Sequence, residues 1–144
     1  MLAYTHQPHR SGANNWEVVK RFLDGDPSAR QACEVIGGIA VRMRQAVADN
    51  DLDRVAALMG EEWEARRRLA PAVSSPELER LLTAATEAGA DSGKACGAGG
   101  GGCLVVATRP GKRRQVEEAI RAAGGSLVAF HVDEQGLQVT SSGG

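Results

Sequence analysis

The sequence predicts an α+β domain in which helices come first and a small β-sheet follows. Apolar residues recur with helical spacing over the first part of the chain, and the pattern then changes. Cys103–Thr108 is a continuous apolar run between glycines and Arg109-Pro110, which is typical of a strand covered on both faces. A second β-rich run follows at positions 126–132. This order is typical of a layered arrangement with the helices against one face of a small sheet.

The composition indicates one soluble domain. The chain has 144 residues and a net charge of −1, which suits one core and excludes a general attraction to nucleic acid or anionic membranes. No apolar run approaches the roughly 20 residues that cross a bilayer, and no basic segment followed by an apolar one begins the chain. The three cysteines are odd in number and lack CxxC spacing, so they make a poor disulfide framework. We therefore expect a cytoplasmic protein.

Local signals place the helices in order along the chain. Positions 1–5 suggest a short strand leading into a polar loop, and apolar residues at 16, 19 and 23 predict a short helix after it. Asp26-Pro27 can cap and begin a longer helix with an apolar stripe. Positions 49–51 break that stripe and supply the cap of a third helix, so these two helices should form a tight antiparallel pair. Ser75-Pro76 begins a fourth helix.

The rest of the chain predicts a βαββ unit. The strand at 103–108 is followed by an amphipathic helix that ends at Gly124-Gly125, and then by the run at 126–132. So short a strand-helix-strand connection implies a right-handed parallel crossover. A final strand at 137–140 should pair antiparallel with its predecessor. We expect residues 141–144 to form a disordered tail.

Glycine is the anomaly of the composition, because it makes up 18 of 144 residues against a typical share of about 7%. Five of the six residues from Gly97 to Gly102 are glycine. Such a loop can turn successive backbone N–H groups inward, which suits phosphate oxygens. Lys94 at its entrance and the strand that follows favour this interpretation, and a flexible spacer or a set of tight turns is the alternative. The loop is neither a P-loop nor a dinucleotide fingerprint, because it lacks Gly-Lys-Ser/Thr and does not open a helix.

The segment from Lys94 to Cys103 resembles the third motif of the GHMP kinases, a family named for galactokinase and for homoserine, mevalonate and phosphomevalonate kinases. Tyr4-Thr5, the run 11–16 and the run 62–71 are similar to the branch that phosphorylates D-glycero-D-manno-heptose 7-phosphate. The resemblance covers Ala3 to Val139. It implies a ferredoxin-like small sheet with an added helical hairpin, which is the fold of the family's C-terminal domain.

The resemblance also implies a function. Residues 1–140 correspond to the C-terminal domain of a transferase that moves the γ-phosphoryl group of Mg-ATP to a hydroxyl of a sugar or sugar phosphate. The nucleotide loop and the catalytic groups of the family's N-terminal ATP-binding domain have no counterpart in this chain, so we expect that domain to be absent, encoded separately or lost by truncation. We therefore expect no catalytic residue, no metal ligand and no kinase activity in the chain alone. By correspondence, the phosphate region comprises Gly97, Ala98, Gly99, Gly100, Gly101 and Gly102.

The cofactors implied for the complete enzyme are ATP and Mg²⁺, and we expect neither to bind tightly to this chain alone. The implied partners are an N-terminal ATP-binding domain or subunit and a sugar or sugar phosphate in carbohydrate metabolism, with no nucleic acid and no membrane. Two alternatives from other classes stay open. The chain could be a stand-alone small-molecule binding or regulatory module, or a structural remnant that self-associates through an exposed interdomain face.

Polar residues after the first strand are candidates for substrate contact. Arg10, Ser11, Asn14 and Asn15 form a loop whose donors suit sugar hydroxyls or a substrate phosphate. The alternative is an ordinary turn in which Asn14 or Asn15 caps the next helix. The resemblance favours substrate contact for this loop.

Other conspicuous residues have structural interpretations. His6 and His9 lack the further ligands of a zinc site at recognisable spacing. Trp63 lies on an apolar helix stripe, which favours core packing over ligand stacking. Arg66, Arg67 and Arg68 follow several glutamates, so surface ion pairs are expected for them.

Overall fold

A computed structural model of the chain describes residues 1–8 and 11–140. In this part of the chain, four strands form one sheet, and five α-helices and a short 3₁₀ turn pack with it. His9, Arg10 and the predicted tail at 141–144 lie outside the described residues. The elements in chain order are β1 (Leu2–Tyr4), α1 (Ser11–Leu23), α2 (Pro27–Ala48), α3 (Leu52–Arg66), the 3₁₀ turn (Pro71–Val73), α4 (Pro76–Glu87), β2 (Ala90–Ala95), β3 (Cys103–Thr108), α5 (Arg113–Ala122) and β4 (Ser126–Val128).

The sheet has the strand order β2-β3-β1-β4, and every neighbouring pair is antiparallel. Ala3 on the inserted strand β1 lies opposite Leu104 on one side and Leu127 on the other. The predicted strand-helix-strand unit is therefore present as β3, α5 and β4. Its two strands run in the same direction, but they are not neighbours, because β1 lies between them.

The main core lies between the sheet and the helices α4 and α5. Leu78, Leu81, Leu104, Val116 and Ile120 are each at most 1% exposed there. A second core cluster joins α2 and α3, which form the predicted antiparallel helix pair. Helix α3 also packs along β2, which fixes the end of this helix pair beside the sheet.

The predicted starts of α2, α3 and α4 are confirmed by their caps. The Asp26 carboxylate accepts hydrogen bonds from the N–H groups of Ser28 and Ala29 at the start of α2. Asp51 caps α3 and Ser75 caps α4 in the same way. These short polar side chains satisfy N–H groups that have no partner within the helix. None of the helices in the described residues is both long and apolar enough to cross a membrane.

Three predictions about the elements were wrong or incomplete. No strand forms at 137–140, where Leu137 and Val139 are 92% and 85% exposed, so the predicted final β-pairing does not exist. Strand β2 was not predicted, because Ala-Asp-Ser-Gly-Lys-Ala has no β-branched or aromatic residue and forms only by pairing with β3. Helix α1 begins at Ser11, so Ser11, Asn14 and Asn15, which were expected in a polar loop, belong to a helix.

Candidate functional site at the glycine loop

The glycine loop, residues 97–102, connects the antiparallel strands β2 and β3. Its base is closed by a hydrogen bond of 2.8 Å from the N–H of Cys96 to the carbonyl of Cys103. Leu104 on β3 is buried in the main core, directly opposite Ala95 on β2. The loop therefore projects from a rigid pair of core strands.

The backbone of this loop requires glycine for two separate reasons. Gly99 and Gly100 have φ values of +77° and +76°, in the left-handed region that other residues rarely adopt. A Cβ at Gly99 would lie 2.0 Å from the carbonyl oxygen of Val73, and one at Gly100 would lie 2.6 Å from Nδ2 of Asn14. The glycines thus allow the loop to approach its neighbours more closely than any side chain would permit.

Hydrogen bonds tie the loop to two other segments. The N–H of Gly100 donates to the carbonyl of Val73 at 2.8 Å, and the N–H of Gly102 donates to the carbonyl of Gln7 at 2.9 Å. The Gly102 carbonyl accepts from both the N–H and the Oγ1 of Thr5, each at 2.9 Å. The loop is therefore held against the 3₁₀ turn and against the segment that follows β1. It is an ordered element, and the alternative of a flexible spacer does not apply.

Asn14 completes the attachment. Its side chain is buried, and Nδ2 donates to the carbonyls of Ala72 and Gly99 at 3.1 and 3.2 Å. The amide group predicted to contact substrate thus joins α1, the 3₁₀ turn and the glycine loop. Asn14 does not cap α1, because it lies in the first turn of that helix.

Some N–H groups of the loop are not used by these contacts. Among the residues that the structure describes, the N–H groups of Gly97, Ala98, Gly99 and Gly101 have no acceptor. Gly99 and Gly101 are buried, whereas Gly97 is exposed and Ala98 is half-buried. The part of the loop that a ligand can reach is therefore its rim at Gly97 and Ala98, where backbone N–H groups suit an anion.

Lys94 is held by a buried carboxylate. Glu62 on α3 is 8% exposed and pairs with both Arg66 and Lys94. Burial alone would raise the pKa of Glu62, but hydrogen bonds from Arg66 and Lys94 outweigh burial and lower it. Glu62 is therefore ionised at neutral pH. Lys94 fastens the end of β2 to α3 and is not free at the loop entrance as the sequence suggested, but Glu62 is shared with Arg66, so the three side chains together keep one positive charge.

Cys96, beside the loop, is a poor nucleophile. Burial raises the pKa of the Cys96 thiol, and the neighbouring Cys103 raises it further, while Lys94 opposes this only in part. A thiol with a raised pKa carries little thiolate at neutral pH. Covalent catalysis at this position has no support from the structure.

The remaining candidate residues separate into exposed and structural ones. Ser11 and Asn15 lie exposed on the first turn of α1, near the glycine loop through their neighbour Asn14. Trp63 is 4% exposed in the main core, which confirms its predicted packing role. Arg66 and Arg67 form the expected ion pairs with glutamates. Within the described part of the chain, no group of three or more potential metal ligands comes together.

Sequence reasoning missed the residues that hold the glycine loop. Thr5, Gln7 and Val73 contribute mainly backbone carbonyl and N–H groups, which carry no signal in a residue pattern.

The fold and the glycine loop define a class of protein, and the comparison with known families agrees. The chain belongs to the GHMP kinases, since the family model "GHMP kinases C terminal" matches residues 43–126. This confirms the predicted family and fold.

Curated relatives include kinases for different substrates. The D-glycero-alpha-D-manno-heptose 7-phosphate kinase of Campylobacter jejuni is 31% identical over 88% of this chain and 37% of its own length. A mevalonate kinase of Pyrococcus horikoshii is 32% identical over 85% of this chain and 37% of its own. Glucuronokinase 1 of Arabidopsis thaliana is 29% identical over 88% and 35%. The chain thus spans little more than a third of these relatives.

Solved structures share the fold. The mevalonate kinase of L. major in complex with R-mevalonate matches with a TM-score of 0.75 at 22% identity, over 84% of this chain and 37% of that structure. A protein from Listeria innocua matches with a TM-score of 0.81 at 17% identity, over 90% and 38%. At these identities the likeness establishes the fold alone.

Proposed function

We propose that this chain forms the C-terminal domain of an ATP-dependent kinase that phosphorylates a hydroxyl of a sugar or sugar phosphate, with a heptose 7-phosphate as the leading substrate. The observation that carries the proposal is the ordered glycine loop, whose rim at Gly97 and Ala98 offers N–H groups without an acceptor in the described residues. Phosphoryl transfer depends on positioning and on stabilising negative charge, and a rigid set of backbone donors contributes to both.

The residues present fit phosphate oxygens better than a metal ion. The loop rim offers only N–H donors, and the buried Glu62 is already paired with Lys94 and Arg66. The role proposed for the rim at Gly97 and Ala98 is therefore to face the phosphate groups of bound ATP, while the glycines from Gly99 to Gly102 hold that rim in place. Mg²⁺, which neutralises phosphate charge when bound, would take its ligands from the rest of the kinase.

Substrate contact is assigned to the N-terminal end of α1. Ser11 and Asn15 are exposed there, and Asn14 holds this end of the helix against the glycine loop. Exposed hydroxyl and amide groups close to a phosphate-binding loop suit a sugar hydroxyl beside the transferred phosphoryl group. Arg10 precedes this helix in sequence and completes the proposed set.

Two of the relatives described above are named as sugar or sugar-phosphate kinases, and they support this substrate class. The mevalonate kinase of similar identity supports a second candidate, in which the substrate is mevalonate. The two candidates predict different substrates at the N-terminal end of α1.

The experiment compares this chain with a chimera in which it replaces the matching segment of the Campylobacter kinase. We expect no ATP turnover by the 144-residue chain, and ADP release by the chimera with heptose 7-phosphate but not with mevalonate. The reverse preference would select mevalonate. Turnover by the chain alone would contradict the assignment of an incomplete site, and a folded chimera that turns over neither substrate would contradict the kinase proposal itself.

A further inference from the structure

Helix α1 has its polar and apolar sides reversed relative to an ordinary surface helix. The side facing the domain carries the buried Asn14 and the half-buried Arg21, and among the apolar residues of α1 only the half-buried Val18 packs against the core. Arg21 donates to the carbonyl of Leu69 at 2.6 Å and to the carboxylate of Asp26. Polar contacts therefore attach α1 to the domain, where a surface helix would normally use an apolar stripe.

The apolar residues of α1 point to solvent instead. Trp16, Val19 and Leu23 follow the i, i+3, i+7 spacing of one helix face, and they are 64%, 47% and 69% exposed. We call these three residues the outer stripe. Phe22, beside it, is 43% exposed and lies 5.6 Å below the guanidinium of Arg30. Among the described residues, nothing covers the outer stripe.

The exposure of Trp16 is informative because aromatic residues are scarce in this protein. They make up 3% of the chain, which has only two tryptophans. One of them, Trp63, is 4% exposed in the core, and the other is presented on the surface. Exposed tryptophans in contiguous apolar patches are typical of the centres of protein interfaces.

We propose that the outer stripe is the surface on which the ATP-binding part of the kinase packs. This inference rests on the proposed function. The chain spans only 37% of the length of the heptose 7-phosphate kinase relative, so most of a complete kinase would lie outside it. Asn14 ties the first turn of α1 to Gly99, so the helix that carries the outer stripe begins beside the glycine loop.

Hydroxyl-radical footprinting, read by mass spectrometry, measures the solvent exposure of Trp16 in the isolated chain and in the chimera described above. Trp16 should be oxidised readily in the isolated chain and at least about threefold more slowly in the chimera, since residues at an interface core lose most of their exposed area. Peptides containing Val41, which is 66% exposed on α2, serve as the exposed control, and Trp63 serves as the buried one. Equal oxidation of Trp16 in both proteins would overturn the proposal.

This result is separable from the kinase proposal. A chimera that phosphorylates heptose 7-phosphate while Trp16 stays reactive refutes the docking surface alone. A folded chimera that protects Trp16 but turns over no substrate supports the surface and refutes the kinase activity.

A matched pair of substitutions provides the second measurement. Trp16→Glu should lower the melting temperature of the chimera and leave that of the isolated chain unchanged, whereas Val41→Glu should affect neither. Sedimentation velocity of the isolated chain keeps the proposal testable if the chimera fails to fold. A monomer agrees with the proposal, and a dimer abolished by Trp16→Glu would assign the outer stripe to a second copy and overturn it.

Discussion

Replacing Gly99 by alanine tests whether close packing requires glycine in the loop. A Cβ at this position would lie 2.0 Å from the carbonyl oxygen of Val73, a distance that no real Cβ contact shows. The loop would have to move away from the 3₁₀ turn. That movement would break the 2.8 Å hydrogen bond from the N–H of Gly100 to the same carbonyl.

The size of the effect follows from three contributions. The left-handed φ of +77° costs a non-glycine residue about 1–2 kcal/mol. Loss of the hydrogen bond to Val73 costs about 1 kcal/mol. The strain of inserting a methyl group into a packed site adds about 1–3 kcal/mol. We therefore expect Gly99→Ala to lower the free energy of unfolding by about 4 kcal/mol, within the range of these contributions.

Gly97→Ala is the matched control. Its φ of +74° is almost the same, but a Cβ there would meet nothing within 4 Å. Only the backbone contribution then applies, so the expected loss is about 1 kcal/mol. Urea unfolding followed by far-ultraviolet circular dichroism measures both variants. Equal losses of unfolding free energy in the two variants would show that the loop can move away from Val73 without an energetic cost. That result would refute the argument from close approach.

Three further predictions concern the contacts around the loop and the first helices. Asn14→Ala should lower the free energy of unfolding in urea by about 2 kcal/mol, because it leaves two carbonyls without their donor. The control Asn15→Ala, at an exposed position, should change it by at most about 0.5 kcal/mol. Similar values for both variants would contradict the attachment role of Asn14. Burial raises the pKa of Glu62 but hydrogen bonds from two neighbouring cations lower it overall, so the stability it adds is present above its ordinary value of 4.5 and is lost as the pH falls through the lowered value. Glu62→Gln should therefore flatten the fall in unfolding free energy between about pH 5 and pH 3, and an unchanged acid profile would contradict this. Asp26→Ala should lower the melting temperature by an amount that corresponds to about 1–2 kcal/mol, since it removes both the cap of α2 and the carboxylate that holds Arg21; no change would mean that α1 is held by other contacts.

The starts of α2, α3 and α4 could be predicted because their capping signals are local. Asp26, Asp51 and Ser75 each cap N–H groups two or three residues further along the chain, so the interaction is complete within one turn. Strand β2 could not be predicted in the same way. Its composition disfavours a strand, and it exists because the apolar strand β3 offers a pairing edge and α3 covers it.

The environment of the first-turn residues of α1 could not be predicted from local sequence either. Ser11, Asn14 and Asn15 have a polar composition typical of a loop, and the sequence could not show that Asn14 is buried while its neighbour is exposed. That difference depends on a contact between Asn14 and residues 58 and 85 positions away. A pattern within a short window contains no information about such partners.

By itself, the sequence indicated that the five glycines among residues 97–102 can take backbone conformations that other residues rarely adopt, and that they adjoin an apolar strand. It could not determine where the N–H groups of that segment point. Packing decided this, because the acceptors on Val73 and Gln7 come from distant parts of the chain, and they leave only the rim at Gly97 and Ala98 accessible. The position of the Lys94 side chain was decided in the same way, since the buried Glu62 that pairs with it lies on another element.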